Sequence, residues 1–168
     1  MVVKSSKKAK SLDKRAAQPK SQPQAHEARR IQYAALPWRQ AAGLEIMLVS
    51  SRETKRWIIP KGWPMAGRDG RAVAAIEAIE EAGLLGQMAR EPFGHFKYVK
   101  RMPKNAALLC EVEVYPLRVQ RQREDWPERE MRATQWFPAD EAVDLVEEPE
   151  LRTLLRQFCA QMQLASDI

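Results

Sequence analysis

Residues 57–84 read WIIPKGWPMAGRDGRAVAAIEAIEEAGL, and the changes of character along this stretch set the expected fold. Trp57-Ile58-Ile59-Pro60 is a short apolar run ended by Pro60 and then Gly62, the pattern of a buried strand. A loop containing Pro64, Gly67 and Gly70 follows. A helix is then expected from about Arg71 to Ala82, with Gly83 placed to adopt the left-handed conformation that closes a helix. Rotated by about 100° per residue, Ala72, Ala75, Ile76 and Ile79 gather on one side, which is expected to face the core. Glu77, Glu80 and Glu81 fall within an arc of about 100° on the opposite side.

On the N-terminal side of this stretch, Ile31–Trp38 and Leu44–Ser50 read as two strands joined by a turn at Ala41-Ala42-Gly43. On the C-terminal side, Phe93–Val99 and Ala106–Val119 read as a strand pair around Met102-Pro103-Lys104-Asn105. Ala133–Phe137 is a last short strand. Helices are expected from Pro138-Ala139-Asp140 through Val146 and over Glu148–Met162. Strands that come in antiparallel pairs, with one early helix and two late ones, predict an α/β domain: a mixed sheet with helices on its faces, not a doubly wound parallel fold.

Carboxylates three and four residues apart on one helix repel, by a few tenths of a kcal/mol per pair (roughly) in a bare helix. A solvated acidic face would tolerate that. Three features argue for more. The glutamates lie near the helix C-terminus, where the macrodipole already disfavours negative charge. No Lys or Arg lies between Ala72 and Met88. The helix is reached from a buried strand through a Pro/Gly loop, a layout that holds a site rigidly. Clustered hard oxygen ligands of this kind suit Mg2+ or Mn2+.

The same residues resemble the Nudix box, G-x5-E-x7-R-E-U-x-E-E-x-G-U with U a bulky aliphatic residue, over Gly62 to Leu84 with its spacing intact. The Glu77-x-x-Glu80-Glu81-x-Gly83 core is kept, although Ala78 is small for its aliphatic position. The likeness extends through Leu48–Arg52 and Arg56–Gly62 to Glu124-Asp125-Trp126 and Gln135-Trp136-Phe137. It is nearest to the diphosphoinositol polyphosphate and diadenosine polyphosphate hydrolase branch. Arg68 stands where the box has its first Glu, and Ile76 where it has its Arg. Losing both members of such an ion pair can be close to neutral, whereas losing one leaves an uncompensated charge. Ile76 falls on the expected apolar face, so Ile76→Arg is expected to bury a charge.

The resemblance implies a Nudix-like α/β/α sandwich with a mixed sheet and a catalytic strand–loop–helix, over residues 29–165. It implies a metal-dependent pyrophosphohydrolase that cleaves a phosphoanhydride bond in dinucleoside polyphosphates or diphosphoinositol polyphosphates. By position, Glu77 and Glu81 would hold the Mg2+ (or Mn2+) ion, with the Gly62 carbonyl a further ligand, and Glu80 would accept the proton of the attacking water. Glu111 and Glu113, on one face of a later strand, are either additional ligands or a solvated strand face. An anionic polyphosphate needs cations beyond the metal. Arg52, and with it Arg132, matches a substrate-contact position of the branch, while Lys61, Lys97, Lys100, Arg101 and Lys104 are candidates by charge and placement. Trp63 is read as a loop anchor or a stacking platform, and His95 as a packing residue. Alternative readings are an RNA 5′ pyrophosphohydrolase and a catalytically silent ligand- or RNA-binding module.

Composition bounds these readings. The 168 residues carry 28 Lys+Arg and 22 Asp+Glu, but the excess is local. Residues 1–30 hold nine Lys/Arg and two acids, and the remainder is close to neutral. Residues 1–28 are Lys, Ser, Ala, Gln and Pro with few large apolar side chains, so they are expected to form a disordered basic tail. That tail is either a solubilising leader or an arm making weak contacts with nucleic acid or polyphosphate. Its composition matches an organellar presequence except for the missing apolar face, and the start lacks the apolar stretch of a secretory signal. No run approaches the ~18–20 apolar residues of a membrane span. Cys110 and Cys159 make no metal spacing and are expected to be free buried thiols, which fits a reducing cytoplasm.

Overall fold

The computed structural model describes residues 30–167. The tail read over residues 1–28, with His26 and the polyanion contact assigned to it, lies outside the described residues. Eight strands and three helices follow in the order β1 Arg30–Gln40, β2 Leu44–Ser50, β3 Trp57–Ile58, β4 Lys61–Gly62, α1 Gly70–Ala82, β5 Leu84–Met88, β6 Gly94–Arg101, β7 Ala107–Gln122, β8 Thr134–Pro138, α2 Ala139–Leu145 and α3 Pro149–Ser166.

Every strand belongs to one mixed sheet, in which β1 and β7 are parallel and all other pairings are antiparallel. The turn expected at Ala41-Ala42-Gly43 joins β1 to β2, with Gln40 opposite Leu44. That pairing lasts only from Trp38 to Gln40, because the two strands then part. The segment Trp57–Gly62 fills the fork: β3 pairs with Val49 and Ser50 of β2, and β4 pairs with Tyr33 and Ala34 of β1. The Ala35 amide donates to the Pro60 carbonyl at 3.0 Å, closing the fork's inner corner. The strand expected at Trp57–Pro60 is therefore two short pieces, and the second delivers Gly62 to α1.

Strand alternation sorts the side chains into two cores, as the period of a pleated sheet requires. Ala34, Leu36, Ile46, Leu48, Val112 and Val114 face α2 and α3, which contribute Val143, Leu151, Leu155 and Phe158. Ala35, Met47, Val49, Tyr115 and Leu117 face α1. The sheet thus lies between helical layers, the sandwich that the sequence predicted. Strand β5 was not predicted. It runs antiparallel to β7 with a register shift between Leu85 and Gly86, where a β-carbon on Gly86 would strike the Arg118 carbonyl.

One expectation about α1 is overturned. Its buried residues are Val73, Ala74, Ala78, Glu81 and Ala82, whereas Ala72, Ala75, Ile76 and Ile79 are only half-buried. The side expected to pack inward is the outer one. Alanines let the helix backbone come close to the sheet, so the seam is made by Ala74, Ala78 and Ala82 rather than by the larger isoleucines. The acidic arc accordingly turns inward: Glu81 is 4% exposed, Glu77 is half-buried and Glu80 is exposed. A guanidinium at position 76 would have a route to water, so Ile76→Arg no longer implies a buried charge.

Both ends of α1 match the sequence. The Asp69 carboxylate accepts from the Ala72 amide at 2.8 Å, which caps the N-terminus. Gly83 closes the C-terminus at φ 67°, and its amide donates to the carbonyls of Ala78 and Ile79. A β-carbon there would lie 2.5 Å from the Trp126 ring. Gly83→Ala should therefore combine left-handed strain of roughly 1–2 kcal/mol with overpacking of roughly 1–3 kcal/mol. Gly43→Ala, whose β-carbon meets nothing within 4 Å, should be close to neutral. Denaturant unfolding of the two variants measures the difference.

Candidate functional site

Gly62 and α1 meet so closely that a β-carbon on Gly62 would overlap the Glu77 carboxylate. Glycine is required here by space rather than by dihedral angle. The contact places the Glu77 carboxylate against the loop that opens α1. One turn further on, Glu81 is held through Oε1, which lies 3.2 Å from Nη2 of Arg132. Its other oxygen, Oε2, is buried and has no hydrogen-bond partner.

Burial dominates the ionisation of both side chains. Desolvation raises the Glu81 carboxyl to about 8, against the opposing pull of Arg132 and Lys61. Desolvation, then Glu80 and Glu128, raise Glu77 to about 7. Glu80 points to solvent, and its carbonyl accepts from the Glu128 amide at 3.0 Å.

Cations reach this arc from distant parts of the chain. Arg132 is nearly buried and has three protein partners: besides Glu81 it meets Glu128 Oε2 through Nε at 3.4 Å and donates from Nη1 to the Ser50 carbonyl at 3.2 Å. Glu128 also takes the exposed Arg52, at 3.6 Å. Lys61 carries its ammonium 5.0 Å from the centre of the Tyr98 ring. Burial pushes the Lys61 pKa down, against Glu81 and Glu148. Behind Lys61, Arg56 binds Glu148 at 3.1 Å, just before α3.

The remaining candidates separate into distinct places. Lys100 lies 5.0 Å over the ring of Trp63, which is 38% exposed and follows Gly62 directly. Trp63 is thus a half-open platform beside the site and not a buried anchor. Arg101 ends β6, and Lys104 occupies the hairpin tip at φ 62°, both exposed and without an ion pair among the described residues. No contact brings either one to the carboxylates. Glu113 is committed to its own strand pair, accepting from the Tyr115 hydroxyl and meeting His95 at 3.1 Å. His95 is exposed, so the packing role expected for it is corrected to that of an outward partner of Glu113. Glu111 stands opposite Lys97 in the strand register. Cys110 is buried and Cys159 half-buried, both free.

Among the described residues, no three His, Cys, Asp or Glu side chains converge as a preformed metal cluster. The donor chemistry nonetheless fits a divalent hard cation. Glu77 and Glu81 offer carboxylate oxygens in a partly desolvated place, and Glu81 Oε2 lacks any protein partner. The residues that would hold the ion are these two, with the Gly62 carbonyl. Sequence reasoning missed Glu128, which links Arg52 and Arg132 to the site. Its only sequence signal is the four-residue spacing to Arg132, in a stretch with no helical periodicity.

No family model matches the chain. It is 32% identical to the chloroplastic Nudix hydrolase 21 of Arabidopsis thaliana, over 68% of this chain and 57% of that one. It is 31% identical to a Bos taurus protein named diphosphoinositol polyphosphate phosphohydrolase 3-beta, over 61% of this chain and 60% of that one. The chain thus spans less than two-thirds of the length of these relatives. In fold it is similar to an Ap4A hydrolase of C. elegans, with a TM-score of 0.61 and 22% identity, covering 80% of this chain and 98% of the other.

The raised carboxyls make a stability prediction for metal-free protein. Both groups bind protons more tightly folded than unfolded, where the reference is 4.5. Their contribution is complete below that value and is lost as pH rises through about 7 for Glu77 and about 8 for Glu81. Thermal unfolding in excess chelator should show the melting temperature falling over this window, and Glu81→Gln should flatten most of the fall.

Proposed function

We propose, from its similarity to Nudix hydrolases, that this chain is a divalent-metal-dependent pyrophosphohydrolase of that family. Its proposed substrates are dinucleoside polyphosphates or diphosphoinositol polyphosphates, cleaved at a phosphoanhydride bond. One observation carries the reading: the buried, unpartnered Oε2 of Glu81 beside the Glu77 carboxylate, at the mouth of a Gly-opened loop. A buried carboxylate oxygen without a donor is costly unless a cation completes it. The substrates for which the bovine relative and the nematode hydrolase are named support the substrate class.

In this reading Glu77, Glu81 and the Gly62 carbonyl would hold Mg2+ or Mn2+, which when bound would supply neutralisation of the charge developing on the phosphate oxygens. Glu80, exposed at the rim of the same arc, holds the attacking water and takes its proton. Lys61 and Arg52 flank the arc and receive the phosphates nearest the scissile bond. Arg101 and Lys104, at the β6–β7 tip, meet the more distant anionic groups of a long substrate. Glu113 is left out of the ligand set, because His95 and Tyr115 already occupy it. The free thiols of Cys110 and Cys159 support a reducing compartment such as the cytoplasm. No helix among the described residues is long and apolar enough to cross a membrane.

A hydrolysis assay over dinucleoside polyphosphates and inositol pyrophosphates tests the proposal. Turnover is expected with Mg2+ or Mn2+ and not in excess chelator. Glu77→Gln and Glu81→Gln should weaken metal binding along with turnover. Glu80→Gln should lower kcat by about 100-fold or more while metal affinity stays near that of the unaltered protein. Full turnover in excess chelator would overturn the reading.

A further inference from the structure

The resemblance assigned Arg132 to substrate contact, yet its surroundings commit each of its guanidinium nitrogens to a protein acceptor. Each nitrogen of the guanidinium already has a protein partner: Nη2 meets Glu81, Nε meets Glu128 and Nη1 reaches the Ser50 carbonyl. Its side chain is only 10% exposed. The Ser50 end is itself fixed, because Ser50 Oγ accepts from the Ala133 amide at 2.9 Å and the Ser50 amide donates to the Ala133 carbonyl at 2.9 Å. The Glu128 end is tied to α1 by the bond from its amide to the Glu80 carbonyl.

The consequence falls on Glu81. A carboxylate at the end of a three-torsion side chain can present either oxygen in several directions. Here Arg132 takes Oε1 alone, so Oε2 is the oxygen left facing the interior without a partner. Helix α1 carries no cation of its own between Ala72 and Met88, and Ile76 stands where the box has an arginine. The guanidinium that orders the carboxylate comes instead from the segment between β7 and β8.

We infer that Arg132 is a positioning residue which, braced by Glu128 and Ser50, fixes Glu81 so that Oε2 is presented to the divalent cation. This inference rests on the reading of Glu77 and Glu81 as metal carboxylates. Partners that orient a ligand in this way typically change metal affinity by about 10–100-fold when removed. Lysine would keep the charge but lose the planar fork that meets three acceptors at once.

The test is a Mn2+ titration of the full chain, followed by electron paramagnetic resonance of the free ion, with kcat and KM measured at saturating Mn2+. Arg132→Gln should weaken Mn2+ binding by about 10–100-fold. Arg132→Lys should fall between it and the unaltered protein. KM for substrate should stay nearly constant once Mn2+ saturates the site. Glu128→Gln, which removes the brace and leaves Glu81 intact, should weaken Mn2+ binding less than Arg132→Gln. If Arg132→Gln does not fold, Arg132→Lys decides alone. Unchanged Mn2+ affinity together with a raised KM would make Arg132 a substrate ligand and overturn the inference, while leaving the metal reading in place. Failure of the unaltered protein to bind Mn2+ would overturn both.

Discussion

The inward placement of Glu81 on α1 is the constraint around which the rest of the site is built. A carboxylate in that position loses most of its hydration, and a single buried ion pair seldom repays such a loss. Arg132 meets it on one oxygen only. The neighbouring structure makes the arrangement tolerable by bringing charge and backbone to the same point. Strands β1 and β2 part so that Trp57–Gly62 can fit between them, and Gly62 gives Glu77 room against the loop. The segment after β7 wraps the end of α1: Trp126 covers Gly83, the Glu128 amide binds the Glu80 carbonyl, and Arg132 reaches Glu81. The helix terminus, the fork and the wrapping segment are therefore joined by direct contacts around the same carboxylates.

That assembly accounts for what the sequence did and did not disclose. The β1–β2 hairpin was legible because Ala41-Ala42-Gly43 interrupts two apolar runs, and the ends of α1 were legible from their loop and from Gly83. Gly86 and Gln87 hid β5, since neither carries the apolar or branched character of a strand. The facing of α1 was misread for a related reason. Five alanines give that helix apolar residues on nearly every side, and the isoleucines bias the choice towards the outer one. Glutamate on a buried face breaks the hydrophobic pattern, which is where local rules are expected to fail if a site is present.

The candidate site divides along the same line. Glu77, Glu80 and Glu81 could be read from spacing on one helix, and the resemblance to the Nudix box added Gly62. Their cations could not be ordered by spacing, because Arg52, Lys61 and Arg132 come from three separate segments that only the sheet brings together. Charge and placement alone put forward Lys61, Lys97, Lys100, Arg101 and Lys104, and the resemblance singled out Arg52 and Arg132. The fold separates a nearly buried Arg132 with three protein partners from an exposed Arg52 and from two cations at a hairpin tip. It also adds Glu128, whose role depends wholly on which residues surround it.

The central claim is that Glu77 and Glu81 form a desolvated pair whose missing partner is a divalent cation. Calorimetry of Mn2+ binding near pH 7, repeated in buffers of different ionisation enthalpy, tests it most directly, because a cation that displaces protons from these carboxyls transfers them to the buffer. With the two groups raised to about 7 and about 8, the account predicts release of about one proton or more per ion bound, reduced in Glu81→Gln. Mn2+ binding with no proton release, equally in the unaltered protein and in Glu81→Gln, would show that the ion sits elsewhere and would contradict the account.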